Sequence, residues 1–172
     1  MRALPLALAL LVAVPVPGQA ACSAARQSPK LPAQPALPAG VAAMRAAIAK
    51  AAVRCDFAGL QALTERGDNP FTYKLGGDPG EPGTYWQHEE ARGAHPLLAM
   101  VRLLKMPYVR LNGGLQYVWP SAYQDRPRPA DWGPLGSLYS ADAIAHFQQL
   151  GYLGYRLGIG QTGEWLYFVQ GD

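Results

Sequence analysis

Charge is scarce in this 172-residue chain. Asp, Glu, Lys and Arg make up 16% of it, against about a quarter in an ordinary soluble domain. Net charge is only +3, and no basic stripe is interleaved with aromatic residues, so a nucleic-acid footprint is excluded. Cysteine occurs twice and histidine three times. No G-x-S-x-G elbow is present to carry a nucleophilic serine. The glycine-rich "GGDPGEPG" is followed by Thr84-Tyr85, where a phosphate-binding loop needs Lys-Ser/Thr. Asp78 and Glu81 in that segment lack the ligand spacing of a calcium loop. Beyond the first residues, no apolar run is long enough to span a bilayer.

Apolar residues, by contrast, are 49% of the chain, enough for a core, and 19 glycines with 16 prolines predict short elements and many loops. Residues 1–21 read as an export signal: Arg2, then the apolar run "ALPLALALLVAVPV", then small residues. Two cleavages are open, beside an uncleaved run that stays as an anchor. Cleavage after Ala20 or Ala21 releases a protein without an anchor. Alternatively, "QAAC" resembles the lipobox of bacterial lipoproteins, which implies a lipid on Cys22 and a membrane attachment through that lipid alone. Cys22 and Cys55 could also pair in an oxidising compartment, or Cys55 could be a buried small apolar side chain. Residues 22–40 read as a linker. Pro29, Pro32, Pro35 and Pro38 fall at every third position, the period of a polyproline II strut.

Residues 41–172 read as a single α+β domain, with N-terminal helices packed on a small antiparallel sheet built from two hairpins. Val41, Met44, Ile48, Ala51 and Cys55 recur at helical spacing. Asp56 is placed to cap a second helix and Ser140 a late one. "TYWQHEEARG" predicts a helix capped by Thr84, "HPLLAMVRLLKMP" another, and "FTYKL" a strand. Asn112-Gly113 between β-rich runs predicts a hairpin. A second is expected around Gly160 to Gly163, with Trp165, Tyr167 and Val169 alternating against Leu166 and Phe168.

The blocks "FTYKLGGDPG", "YVWP", "GYLGYRLGI" and "GEWLYFVQGD" resemble those of a family of exported bacterial proteins with no assigned activity. The resemblance covers roughly residues 55 to 172. It implies a cell-envelope protein and no catalytic residues.

Two groups of residues are candidates for function. "HEEARGAH" brings His88, Glu89 and His95 within eight residues, the material of a metal-assisted hydrolase. Its spacing is wrong for a zincin helix, since Arg92 stands four residues after His88. A polar helix end is the simpler reading. The second group is aromatic: Trp86, Trp119, Tyr123, Trp132 and Trp165, with Arg156 beside glycines to meet a carboxylate. Such rings either fill a core or line a groove for glycan or extended peptide. The expectation is a non-catalytic binding or accessory module of the envelope, without a cofactor, its partner a glycan, peptide or protein. The alternatives are the hydrolase and a structural subunit of an envelope assembly.

Overall fold

The computed structural model describes residues 22–34, 36–76 and 80–171. The export-signal assignment of residues 1–21 lies outside the described residues, as does Asp78. The first helix, α1 (Ala39–Val53), follows Pro38 directly, and the Pro38 carbonyl accepts the Ala42 N–H at 2.9 Å. Its alanines favour helix, and its predicted stripe is buried at Val41, Met44, Ile48 and Ala51. The chain turns at Cys55, which has a left-handed φ of 53°. Asp56 then caps α2 (Phe57–Thr64) by accepting the Gly59 N–H at 2.8 Å.

Helix α3 (Pro82–Ala91) begins two residues before the predicted Thr84. Proline suits a first turn because its missing N–H would have no helical partner there. Helix α4 (Pro96–Lys105) starts the same way. A short α5 (Pro129–Trp132) sits in the long loop. Ser140 Oγ caps α6 (Ala141–Leu150), accepting the Ala143 N–H at 3.2 Å.

The sheet contains β1 (Val109–Leu111), β2 (Gln116–Trp119), β3 (Tyr155–Gly160) and β4 (Trp165–Gln170), in that order and antiparallel throughout. It is two hairpins side by side, and the fold is α+β. "FTYKL" contributes no full strand. It makes one isolated parallel bridge, Thr72 to Tyr167, in which Thr72 N–H donates to the Leu166 carbonyl and Phe168 N–H to the Thr72 carbonyl.

Helices α1, α2 and α4 cover one face of the sheet. Tyr117, Trp119, Leu157, Ile159, Trp165 and Phe168 point into the core they share. Burying each large apolar side chain contributes about 1.5–3 kcal/mol. The predicted alternation in β4 is corrected by a bulge. Ile159 pairs with Trp165 but Gly158 pairs with Tyr167, so Leu166 is the extra residue. Trp165 therefore shares the core face with Phe168. Tyr167 and Val169 lie on the opposite face, with Arg156 and Gly158.

The Pro-rich segment is seated on the domain. Cys22 is disulfide-bonded to Cys55, with a Cα–Cα distance of 5.7 Å. Cys55 is thus a bonded partner and not an isolated apolar side chain. Ala24 is fully buried, and Leu31 and Leu37 pack on the core. Gln34 donates to the Met106 carbonyl at 2.5 Å and accepts Trp119 Nε1–H at 3.1 Å. The buried Arg45 donates to the Leu104 carbonyl at 3.0 Å and the Pro32 carbonyl at 3.1 Å. It thereby joins α1, the carbonyl end of α4 and the Pro-rich strap. Desolvation lowers the pKa of its guanidinium.

Candidate functional site

The "HEEARGAH" residues are the end of α3 and the turn into α4. His88 and His95 are exposed. Glu89 is paired with Arg92 at 3.3 Å. Among the described residues, no group of three His, Cys, Asp or Glu side chains could hold a metal ion. The informative residue of the segment is Glu90. Its carboxylate accepts Ser23 N–H and Ser23 Oγ–H, both at 2.7 Å, and Leu97 N–H at 2.9 Å. Ser23 Oγ accepts Leu98 N–H at 3.1 Å. His95 makes no side-chain cap, so Glu90 and Ser23 satisfy the open N–H groups of α4 in its place. Sequence spacing gave no sign of this, because Ser23 lies 67 residues from Glu90.

The aromatic set divides. Trp86 and Trp119 are fully buried and Trp165 is 2% exposed, which corrects their assignment to an open groove. They fill the core, where Trp86 stacks on Trp165 with ring centroids 5.4 Å apart. Trp132 is half-buried against the core. Tyr123 and Arg156 do meet: the guanidinium lies 4.8 Å from the Tyr123 ring centroid. Arg156 is itself buried and also donates to the Gly171 carbonyl. It belongs to the wall of a site and is not a free cation awaiting a carboxylate.

Tyr123 and Arg156 lie on the sheet face turned away from α1, α2 and α4. Glycine makes this surface shallow. A Cβ at Gly158 would stand 2.4 Å from the Tyr167 ring, so the ring lies flat on the strand. Burial pushes the Tyr167 phenol up to about 12, with Tyr123 adding to the shift and Arg156 opposing it. A cleft of about 330 Å³ is lined by Thr72, Leu111, Gln116, Tyr123, Arg156 and Tyr167, among others. A second, of about 390 Å³, shares Leu111 and Tyr123 with it and continues to Tyr152 and Leu150. Leu75 and Leu150, exposed by 45% and 63%, stand at the two clefts.

A third cleft, of about 560 Å³, lies beside the second half of β4 and shares Leu75 and Val169 with the first. Its walls include Tyr73, Tyr85, Trp86, Glu89, Tyr155 and Phe168. Tyr155 stacks on Phe168 with centroids 5.2 Å apart and planes 5° from parallel. Burial raises the Tyr155 phenol to about 12, helped by Tyr139, Tyr85, Glu89 and Glu90. Burial raises the pKa of Tyr85 as well, with Glu89 adding and Arg92 opposing. Both phenols thus stay protonated at neutral pH. The polar cleft by the start of α1, of about 360 Å³ and lined by Arg66, Asp68, Asn69 and Glu164, has no ring in its walls.

No family model, no curated protein and no solved structure matches the chain.

Proposed function

We propose that this chain is an exported, non-catalytic binding module of the bacterial envelope, and that it holds an extended peptide or glycan along the outer face of its sheet. The carrying observation is the pair of clefts joined at Tyr123 and Leu111. Concave, partly apolar surfaces with a few fixed polar groups are where ligands are held. Here Gln116, Thr72 and the ring hydroxyls supply polar groups, and exposed Leu75 and Leu150 supply apolar contact. Export is supported by the character of residues 1–21 and by the disulfide, which persists in oxidising compartments. A thioether lipid on Cys22 would need the same Sγ that the disulfide uses, so the reading adopted is export without that lipid.

The test is an array of wall glycans and peptides, followed by titration of each hit against the native chain and a Tyr123→Ala variant. Saturable binding that Tyr123→Ala weakens by about ten-fold, roughly 1.4 kcal/mol, is the expected result. Turnover of any hit, abolished by replacing Glu89 or His88, would overturn the non-catalytic reading. Retention of no glycan or peptide would overturn the groove.

A further inference from the structure

We propose that the cleft between α3 and the second half of β4 recognises a primary ammonium group, such as a lysine-type side chain or a peptide amino terminus. The inference rests on Glu89, Tyr85 and Tyr155, none of which lines the Tyr123 groove, and does not depend on it. The Glu89 carboxylate stands in the wall with Tyr85 and Tyr155, both half-buried. Among the described residues, neither of these two phenols has a hydrogen-bond partner. Carboxylate and phenol oxygens accept hydrogen bonds, and a ring face attracts a cation through its quadrupole. All three features therefore favour a positively charged donor over an anion or an apolar group. Three accepting groups, one carboxylate and two phenols, suit the three N–H donors of a primary ammonium better than a quaternary one, which has none.

The electrostatics agree. The neighbours that hold the Tyr155 phenol protonated include Tyr85, Glu89 and Glu90. Burial, the largest cause of that shift, disfavours charge of either sign, but the Glu89 and Glu90 carboxylates that add to it attract a cation. Two cations oppose: Lys74 at the rim, and Arg92, which pairs with Glu89. The Arg92 side chain is 76% exposed against 19% for Glu89, so the cation of that pair is the solvated partner that a ligand ammonium can replace at the carboxylate.

The test uses the disulfide-bonded protein and two probes, Nα-acetyl-lysinamide and the same molecule acetylated at Nε, followed by the NMR signals of the tyrosine rings. The charged probe is expected to bind saturably and to shift the Tyr85 and Tyr155 signals. Acetylation of the probe, or Glu89→Gln in the protein, is expected to weaken binding by about ten-fold. Tyr155→Phe keeps the ring and removes one acceptor, and is expected to cost about three-fold. Equal affinity for the two probes, no saturable shift, or unchanged binding in a natively folded Glu89→Gln would each overturn the proposal. The probe pair decides the matter on the native chain even where a variant does not fold. A Tyr123→Ala variant leaves this cleft intact, so failure here and failure of the outer-face groove are read separately.

Discussion

Asp131 shows how far a single side chain can depart from what its type suggests. Beside aromatic residues in a Pro-rich loop, it reads as a turn or surface acid. In the structure it is 3% exposed. Its carboxylate accepts Ser121 Oγ–H at 2.8 Å, Arg128 N–H at 2.8 Å and Gln124 Nε2–H at 3.1 Å, and it pairs with Arg128 at 3.3 Å. Burial alone would raise its pKa. The hydrogen bonds from Arg128 and Ser121, with the Arg128 charge, outweigh burial and lower it. A carboxyl group depressed in the folded state binds fewer protons there than in the unfolded chain. Its stabilisation is present above the unfolded value of about 3.9 and is lost as pH falls through the folded value. Urea unfolding of the native chain is therefore expected to show a stability advantage over Asp131→Asn at pH 6 that shrinks steadily below about pH 4. An advantage that stays constant through acid would show that the charged form carries none of it. Arg45 and Glu90 find partners 59 and 67 residues away, at Leu104 and Ser23, so local pattern could not announce them, whereas the partners of Asp131 all lie within ten residues of it.

Among the elements, those with a local cause could be read in advance. Asp56 and Ser140 cap where short polar side chains usually do, Asn112-Gly113 turns a hairpin, and the Val41 to Ala51 stripe needs only helical spacing. What failed was set by pairing. The bulge at Leu166 depends on how β4 meets β3, and it reverses which ring faces the core after Trp165. "FTYKL" has strand composition but finds β4 only at Thr72. Trp86, Trp119 and Trp165 suit a core or a groove by composition alone, and the placing of the helices decides for the core. The approach of α1 to the second hairpin is likewise invisible in either segment alone. A Cβ at Gly40 would stand 2.4 Å from the Thr162 carbonyl oxygen, and one at Gly163 would stand 2.7 Å from the Gly40 backbone. Gly163 also has a φ of 103°, a region that other residues rarely adopt. Gly40→Ala is expected to destabilise the domain by about 1–3 kcal/mol, read as a lower urea midpoint with unchanged slope. An unchanged midpoint would mean that the helix start and the hairpin turn can separate without loss.

At the scale of the whole molecule, the strap and the disulfide decide what kind of object this is. The disulfide closes a loop across a sequence separation of 33, which stabilises the fold by about 3–4 kcal/mol in the chain-entropy account. Reduction, or Cys22→Ser with Cys55→Ser, is expected to lower stability by that order in urea. The strap should nevertheless stay seated, because Ser23, Gln34 and Pro32 hold it independently through Glu90, Met106 with Trp119, and Arg45. Intact mass of the protein recovered from its host gives the companion measurement. The disulfide predicts the loss of two hydrogens, whereas an added diacylglycerol would show that Cys22 is lipidated and the bond absent. The seated strap also has a mechanical consequence. A stiff proline rod would have given the domain reach, but this one runs along the body and ends beside the turn between α1 and α2. Whatever is joined ahead of Cys22, whether a fusion partner, a dye or a surface attachment, meets the protein flush with that turn, with no lever arm between them.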